Sequence, residues 1–500
     1  MSRIGNRSGA GRPNVLVIVT DDQRAGCIHA LGNGDIKTPN LDALVGRGTS
    51  FTRAHIPGGS VSAVCMPSRA MINSGRFLYS IEGEGQNIPP EHTTLGECFR
   101  AAGYRTCGIG KWHNGPASYT RSFTDGADIF FGGMWDHWNV PVCDFRPDGG
   151  YENYIRFTDN FTAANSAPPV RADRIHAGVH STDLFSADAT DFIKNYDGDS
   201  PFFIYLAYMA PHDPRTMPEE FRTMYDPEKI PLPDNFLEMP AVNCGWCGSG
   251  RDDNLAEYPR RPESIKRHIA DYYGMISHLD FRIGQIFDAL KERGFWDNTI
   301  VVFMGDNGLA VGNHGLMGKQ SIYEHSVAVP LVIAGSGVPE GRRNDSLCYL
   351  LDVYPTLCDL CGLDIPESVE GISLVPTMLN PEVGHRETLY FAFQGRIRGV
   401  TDGRWKLIEY RTEDLKLTQL FDLKTDPSEK INWFDFPGRE QITAELRELL
   451  LEYRKSTGDE NSKYGKIFWE QYDRYAAAEV KNPYKPSGRD IMRRMAINVK

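Results

Sequence analysis

Short runs of almost continuously apolar residues recur through most of the chain and alternate with helical patterns. The apolar runs are residues 15–20, 104–109, 202–207, 300–304 and 329–334. Strands that are apolar on both faces are typical of a sheet covered on both sides. Helices are predicted between them at residues 67–74, 94–102, 183–196 and 263–293. This alternation predicts an α/β fold with a doubly wound, mostly parallel central sheet.

The pattern changes after about residue 375, where shorter runs follow one another closely. Strands are predicted at residues 388–393, 396–401, 405–410 and 419–422, followed by a helix at 441–455. Adjacent short strands without intervening helices are typical of an antiparallel sheet. We therefore expect a large α/β domain over residues 1–375 and a smaller α+β subdomain with a tail over residues 376–500.

Acidic and amide side chains follow two of the predicted strands directly. Asp21 and Asp22 end the first strand, and Asp306 and Asn307 end the strand near residue 300. In doubly wound sheets, ligands bind beyond the carboxyl ends of the strands. Oxygen ligands alone suit Ca²⁺ or Mg²⁺ rather than zinc. The alternative is structural, because Asp-Asp also caps helices and Asp-Asn-Gly also forms turns.

A cysteine motif, Cys65-Met66-Pro67-Ser68-Arg69, lies in the sequence between these two acidic sites. Three further motifs follow it: Gly110-Lys111-Trp112-His113, Ala210-Pro211-His212-Asp213 and Gly318-Lys319. Taken alone, Cys65 also fits a small buried residue near a helix start. In this order and spacing, the motifs resemble those of the type I sulfatase family, within the alkaline phosphatase superfamily. The resemblance spans residues 12–430 and includes the fold predicted above.

The resemblance implies a nucleophile and a metal. In that family the cysteine is oxidised after translation to formylglycine by a formylglycine-generating enzyme, and the hydrated aldehyde attacks sulfur. Its second hydroxyl then loses a proton, and inorganic sulfate is expelled. Carried over to this chain, Cys65 is the modified residue and also a metal ligand. The other implied ligands are Asp21, Asp22, Asp306 and Asn307, and the implied ion is Ca²⁺ rather than Mg²⁺.

The resemblance also implies the remaining catalytic groups. Arg69 would hold the hydrated aldehyde and offset charge near the metal. Lys111 and Lys319 would clamp the sulfate oxygens that gain charge in the transition state. His113 would take the proton of the second hydroxyl, and His212 would protonate the leaving alkoxide.

Candidate substrate contacts come from an aromatic and polar cluster and from two separate residues. The cluster contains Trp135, Asp136 and His137, and it is similar to segments of bacterial glycosaminoglycan sulfatases, particularly uronate 2-O-sulfatases. A packed loop with buried tryptophans is the structural alternative. His314 is a further candidate for contacting sulfate or the sugar ring, and Arg215 for binding a carboxylate.

The function implied by the resemblance is hydrolysis of sulfate monoesters, with a sulfated small molecule or oligosaccharide as substrate. The alternative is a phosphonate monoester or phosphodiester hydrolase on the same scaffold. A sulfate monoester carries one negative charge and a phosphate monoester two, so two lysines and one divalent cation suit the sulfate monoester better than the phosphate monoester. A net charge of −12 argues against broad nucleic-acid binding.

The remaining hypotheses concern two C-x-x-C pairs, the cellular compartment and the C-terminal tail. Cys244 and Cys247, with Cys358 and Cys361, could form a four-thiolate zinc site. Alternatively, Cys358 and Cys361 share the buried face of one helix, and Cys244 and Cys247 form a local disulfide or are free thiols. No stretch reaches the ~20 apolar residues of a membrane span. The N-terminus lacks the apolar core of a signal peptide, so we expect a cytoplasmic protein, or a periplasmic or secreted one if a leader was removed. Two alternatives for the tail after Ser456 are packing on the core and packing on a neighbouring subunit, and a homo-oligomer is a further hypothesis.

Overall fold

The computed structural model of the protein describes residues 11–156, 169–242 and 250–481. The chain divides into two compact units, Met1–Glu387 and Thr388–Lys500. The first unit is built on an eight-stranded sheet. In chain order its strands are β1 (Asn14–Thr20), β2 (Gly48–Phe51), β3 (Arg105–Lys111), β4 (Asp125–Phe130), β5 (Phe202–Ala207), β6 (Thr299–Gly305), β7 (Leu331–Ala334) and β8 (Arg342–Asn344). Three short pairs also form: Ala54–His55 with Cys348–Tyr349, Pro141–Val142 with Arg174–Ile175, and Tyr154–Arg156 with Pro169–Arg171.

The central sheet is mostly parallel, as the sequence predicted. Its strand order is β8-β2-β7-β6-β1-β5-β3-β4. Only β7 runs antiparallel to its neighbours among these described strands, and the other pairs are parallel. The first strand therefore lies at the centre of the sheet, between β5 and β6, so the residues that follow β1 and β6 emerge side by side.

Helices cover both faces of this sheet. The α-helices of the first unit within the described residues are α1 (Pro39–Arg47), α2 (Cys65–Ser74), α3 (Leu95–Ala101), α4 (Pro116–Ser122), α5 (Ser181–Lys194), α6 (Glu219–Arg222), α7 (Pro262–Glu292), α8 (Glu324–Val327), α9 (Val353–Cys361) and α10 (Val375–Leu379). On one face, Leu16 of β1 shares a core cluster with Phe185 of α5 and Ile283 of α7. On the other face, Phe203 of β5 stacks on Phe99 of α3, with ring centroids 4.5 Å apart. The predicted doubly wound arrangement is confirmed.

The 31-residue helix α7 is the longest described element of the first unit. Ile269, Ile276, Ile283 and Leu290 recur at two-turn intervals along its buried face. The helix starts with a proline in its first turn, where a missing N–H costs little. Neither α7 nor any other helix in the described ranges has the length and apolar character that a bilayer crossing requires.

The second unit contains a small antiparallel sheet, as expected. Its strands pair in sequence order: β9 (Leu389–Phe393), β10 (Ile397–Thr401), β11 (Trp405–Arg411) and β12 (Lys416–Asp422). Two helices follow, α11 (Glu440–Ser456) and α12 (Lys463–Lys481). Asp459, between the helices, accepts hydrogen bonds from Arg398 of β10 and from the indole of Trp469 in α12. These bonds tie the start of the tail to the sheet of its own unit.

The described cysteines of the C-x-x-C motifs belong to a helix. Cys358 and Cys361 are both buried on α9, and the Sγ atom of Cys358 lies 3.7 Å from that of Cys98 on α3. This placement fits the buried-face interpretation. Cys244 and Cys247 lie outside the described residues, so the four-thiolate zinc site stays a prediction.

Candidate active site

Four of the five predicted metal ligands, all except Cys65, follow strands that end at one edge of the central sheet. Asp21 and Asp22 follow β1, Asp306 and Asn307 follow β6, and the last residues of the two strands are paired. All four side chains are fully or almost fully buried. The backbone N–H of Asp22, which has a φ of 65°, donates to Oδ1 of Asp306 at 3.1 Å. The convergence that parallel strands predict is therefore present.

Each carboxylate of this cluster has a basic partner. Lys111, the last residue of β3, donates to Oδ2 of Asp21 in a very short contact. The Nζ atom of Lys319 lies 2.6 Å from Oδ1 of Asp22. The Nε atom of Arg69 lies 2.8 Å from Oδ2 of Asp306. Because buried charges are expensive unless they are paired, these contacts allow three carboxylates to stay together in a dry site.

Cys65 faces the same cluster from the first turn of α2. Its Sγ atom lies 3.6 Å from Nζ of Lys111, 4.0 Å from Nζ of Lys319 and 3.5 Å from Nδ1 of His113. The helix begins at Cys65 itself, two residues before the sequence prediction, and Pro67 falls within its first turn. The side chain is 2% exposed. The residue that the resemblance marks for modification therefore lies among the proposed sulfate clamps and the proposed base.

The charges of the site shift its pKa values. Burial raises the pKa of Cys65, although the two lysines oppose this change. Burial and the charges of Lys111 and Arg69 lower the pKa of His113 well below its usual value. The His113 imidazole is therefore neutral near pH 7 and can accept a proton, whereas an unmodified thiol at position 65 stays protonated.

The acidic quartet fits a hard divalent cation. Oδ1 of Asp21 and Oδ1 of Asn307 are buried and accept no hydrogen bond from the described residues. The amide nitrogen of Asn307 donates to Oδ1 of Asp22 at 2.7 Å, which turns its oxygen away from that carboxylate. Burial and the neighbouring Asp21 raise the pKa of Asp306 to about 6, and a bound cation would oppose this shift. Unsatisfied oxygens from carboxylates and an amide are ligands that Ca²⁺ and Mg²⁺ accept.

His212 lies near Oδ2 of Asp22, whereas Lys319 contacts Oδ1 of the same carboxylate. Its Nε2 atom lies 3.7 Å from Oδ2 of Asp22, and its Nδ1 atom is 2.8 Å from the carbonyl oxygen of Asp213. Because a carbonyl only accepts, Nδ1 carries a proton and Nε2 is the atom that can exchange one with a substrate. Arg251 holds the Asp213 carboxylate with an Nη1–Oδ2 distance of 2.5 Å. The geometry suits an acid that acts on a leaving group.

Comparison with known proteins supports the same assignment. The family model described as Sulfatase matches residues 13–363, and the model of the N-sulphoglucosamine sulphohydrolase C-terminal region matches residues 312–456. The chain belongs to the sulfatase family. Family membership makes it an enzyme of the sulfuric ester hydrolase class and confirms the resemblance inferred from its motifs.

Relatives of this sulfatase cover almost the whole chain. It is 29% identical to an arylsulfatase of Clostridium perfringens, over 88% of this chain and 94% of that protein. BT4656, solved in complex with its substrate D-glucosamine-2-N,6-O-disulfate, matches with a TM-score of 0.68 and 22% identity, over 90% of this chain and 98% of the other. The phosphonate monoester hydrolase of Agrobacterium radiobacter also matches with a TM-score of 0.68, at 23% identity, over 89% and 96% of the two chains. These structural similarities confirm the alkaline phosphatase-like fold.

Two members of the predicted substrate cluster have other partners in this sulfatase. His137 is fully buried, and its Nε2 atom donates to the carbonyl oxygen of His212 at 2.9 Å while Nδ1 accepts from Ser181 at 2.7 Å. The exposed Asp136 accepts hydrogen bonds from the following turn, including one from Nδ2 of Asn139. Both ring nitrogens of His137 are therefore engaged, and we reassign it from sugar binding to positioning His212. The packed-loop alternative fits this segment better.

The other substrate candidates lie in separate places. Trp135 is partly buried and packs against the main core cluster. His314 is 7% exposed and stacks on Tyr323, with ring centroids 4.0 Å apart. Arg215, three residues after His212, donates from Nη1 to Nδ1 of His268 at 2.8 Å. Their roles toward a substrate stay predictions.

Several supporting residues had no signal in the sequence. Tyr272 of α7 donates its hydroxyl to the carbonyl oxygen of Asp22 at 2.5 Å. Gln320 accepts from the backbone N–H of Lys319 at 3.1 Å and donates to Oδ2 of Asp252 at 2.6 Å. These side chains fix the backbone on either side of the proposed metal site. Each belongs to an ordinary helix or loop pattern, so only the three-dimensional contacts reveal it.

A column of buried imidazoles extends behind His212. The ring centroids of His137 and His180 lie 5.0 Å apart, and those of His180 and His278 lie 4.9 Å apart. Burial lowers the pKa of His137 to about 4 and that of His180 to about 3. Both rings are therefore neutral in the folded protein at pH values where the unfolded chain already binds protons.

This column predicts acid sensitivity. Because the unfolded state binds more protons below about pH 6.5, the free energy of unfolding should fall by about 2 kcal/mol for His180 alone between pH 7 and pH 5. Denaturant unfolding at both pH values measures this change. His180→Gln should reduce the pH dependence, and His29→Gln, at an exposed position, should leave it intact. Equal free energies of unfolding at the two pH values would contradict the assignment.

Proposed function

We propose that this sulfatase hydrolyses sulfate monoesters of a sulfated carbohydrate, releasing inorganic sulfate and the sugar alcohol. The observation that carries the proposal is the environment of Cys65, whose Sγ atom lies within 4.0 Å of both Lys111 and Lys319. The relatives support it, since one is an arylsulfatase and another was solved with a sulfated glucosamine. Two cations beside one nucleophile position suit a small tetrahedral anion.

The metal and the modified residue would supply the chemistry that side chains alone lack. Asp21, Asp22, Asp306 and Asn307 would hold a divalent cation, which would neutralise charge on a sulfate oxygen. Oxidised to formylglycine by a maturation enzyme, residue 65 would supply a hydrated aldehyde as nucleophile. The fit of the four oxygen ligands supports the metal, and we propose Ca²⁺ as the ion.

The remaining residues would orient the sulfate and move protons. Lys111 and Lys319 would bind the sulfate oxygens and stabilise their growing charge, because both are fixed by carboxylates. Nδ1 of His113, 3.5 Å from residue 65, would accept a proton from that side chain. Nε2 of His212 would donate a proton to the departing alcohol oxygen. Arg69, held by Asp306 and by the carbonyl oxygen of Lys111, would keep the helix start and the acidic cluster together.

The second candidate is hydrolysis of phosphonate monoesters or phosphodiesters. The match to the phosphonate monoester hydrolase structure favours it, since that enzyme shares the fold over most of both chains. Such diester-like substrates carry one negative charge, as sulfate monoesters do. The charge of the site therefore fits both substrate classes, and relative turnover of a sulfate ester and a phosphonate ester is the measurement that separates them.

Parallel assays of two ester classes test the proposal. We expect purified protein to hydrolyse 4-nitrophenyl sulfate with a kcat/KM at least about tenfold above that for 4-nitrophenyl phenylphosphonate, a difference of about 1.4 kcal/mol. A panel of sulfated mono- and disaccharides, including 2-O-sulfated uronates, should identify the sugar by released sulfate. Cys65→Ala serves as the control for contaminating enzymes. Faster turnover of the phosphonate would refute the sulfatase assignment of the substrate.

Three further expectations belong to this proposal. The uronate 2-O-sulfatase subgroup predicts that the 2-O-sulfated member of the panel is preferred. The suggested homo-oligomer predicts a particle larger than the 56.1 kDa chain in light scattering. The expected compartment is the cytoplasm, or the periplasm or exterior for a form with a cleaved leader.

A further inference from the structure

A cavity of about 720 Å³ is lined in part by Arg215, which follows the proposed acid His212 by three residues. We call it the Arg215 cavity. Its lining includes Trp138, Arg215, Thr216, Arg222, Arg267 and Asp271. The volume is in the range of ~300–1,000 Å³ that is common for small-molecule sites. It is therefore large enough to hold part of a saccharide.

Two lining residues of the cavity follow groups of the proposed active site in the sequence. Arg215 follows His212 by three residues, and Trp138 follows His137, whose imidazole donates to the His212 carbonyl. Burial lowers the pKa of Arg215, and the Asp213 and Asp22 carboxylates oppose this change. The Cζ atom of Arg215 lies 5.9 Å from the ring centroid of Tyr272, whose hydroxyl donates to the carbonyl oxygen of Asp22. The guanidinium is therefore near one of the proposed metal ligands.

Arg215 has unused donors. Its Nη1 atom donates to Nδ1 of His268, whose pKa is lowered to about 4 by burial and by the arginine, so this ring is a neutral acceptor. The Nε and Nη2 atoms of Arg215 are buried and have no acceptor among the described residues. A planar guanidinium with two unused donors suits the paired oxygens of a carboxylate or a sulfate.

The remaining charges of the cavity leave it weakly positive. Arg222 forms an ion pair with Glu219, and Asp226 forms one with Lys229. The charges of these two lining residues are therefore neutralised by their neighbours. Arg215 and Arg267 then stand against the single carboxylate of Asp271, whose pKa is raised by burial. The partly buried indole of Trp138, packed edge-on against His180 at 5.1 Å, adds an apolar wall of the kind on which sugar rings stack.

We propose that the Arg215 cavity is a subsite for a second anionic group of the substrate, located on the sugar that carries or follows the departing hydroxyl. The group is a carboxylate or a second sulfate, because both present the oxygens that Arg215 can bind. The inference rests on the proposed function, and it makes this sulfatase selective for polyanionic saccharides over simple sulfate esters.

Matched substrates test the subsite. The wild-type protein is assayed with 4-nitrophenyl sulfate, with the sulfated uronate disaccharide that is turned over fastest, with its carboxyl-reduced analogue and with a counterpart carrying a second sulfate. We expect removal of the second anion to lower kcat/KM by about tenfold or more. The reduced and the doubly sulfated substrates separate carboxylate binding from sulfate binding.

Variants assign the effect to the cavity. Arg215→Gln and, at an exposed position, Arg267→Ala should each reduce the ratio of kcat/KM between the polyanionic and the reduced substrate by about fivefold or more. Arg261→Ala removes the same charge from an exposed site outside this cavity and should leave the ratio unchanged. Thermal unfolding checks that Arg215→Gln is folded, and Arg267→Ala provides the second reading.

The results of these assays distinguish failure of the proposed sulfatase activity from failure of the proposed subsite. If no sulfate ester is hydrolysed by the mature protein, the proposed function is wrong. If aryl sulfate is hydrolysed but no saccharide is, or if the second anion brings no preference, the subsite is wrong while the sulfatase activity stands. A preference that survives in both cavity variants also refutes the subsite.

Discussion

Replacing Cys65 by serine should lower sulfate release by about 10³-fold or more and leave the protein carrying a sulfate ester. A serine oxygen at this position can attack sulfur, and the bond from sulfur to the sugar oxygen breaks. The ester formed on Oγ then persists, because this side chain has no second hydroxyl to expel sulfate. Lys111 and Lys319 would still bind the anion, since their carboxylate partners are unchanged.

Mass spectrometry of the peptide around position 65 measures this result. The variant peptide should gain one SO₃ after incubation with substrate, and the mature wild-type peptide should be lighter than its thiol form. Cys143→Ser changes a buried cysteine outside the site and should keep activity. A Cys65→Ser protein with normal turnover and no added mass would contradict the hydrated-aldehyde scheme.

The strands of the central sheet could be predicted from the sequence because burial on both faces requires almost continuously apolar residues. Residues 15–20 contain no charge, and the structure shows β1 between two parallel neighbours with every residue buried. The ends of helices and strands are harder to predict, since they depend on local geometry. The second helix begins at Cys65 instead of Pro67 because proline fits any position of the first turn.

The metal cluster could be predicted for a topological reason. Asp21 and Asp306 are far apart in sequence, but each follows an apolar strand, and parallel strands bring their carboxyl ends to one edge. Sequence order did not say that β1 and β6 are neighbours, and the family resemblance supplied that step. The pairing of Arg69 with Asp306 could not be read from either strand.

The aromatic segment shows what pattern reading could not decide. Its composition fits a sugar-binding wall, yet the direction of each side chain depends on partners that are distant in sequence. His137 contacts His212, 75 residues away, and Ser181, 44 residues away. Both contacts bury the imidazole of His137 and occupy its nitrogens. The residue types of the segment, which suggested a substrate contact, carry no information about these distant partners.

Replacing Asp306 by alanine should abolish divalent metal binding and lower turnover by about 10³-fold or more. The change removes one ligand and also leaves Arg69, whose Nε atom lies 2.8 Å from Oδ2 of Asp306, with an unbalanced buried charge beside the cation. Repulsion from that guanidinium adds to the lost coordination. The wild-type protein should gain about 2.7 kcal/mol in its free energy of unfolding at a Ca²⁺ concentration 100 times the Kd, and the variant should gain none.

Metal analysis and thermal unfolding with and without Ca²⁺ measure this difference without relying on activity. Asp306→Asn keeps an oxygen ligand and the side-chain size but loses the charge, so its metal response should be intermediate. Asp288→Ala removes an exposed carboxylate of α7 that pairs with Lys291, and its Ca²⁺ response should equal that of the wild type. The metal assignment would be wrong if Asp306→Ala retained the full Ca²⁺ stabilisation, because the buried quartet that meets at the ends of β1 and β6 would then not be the binding site.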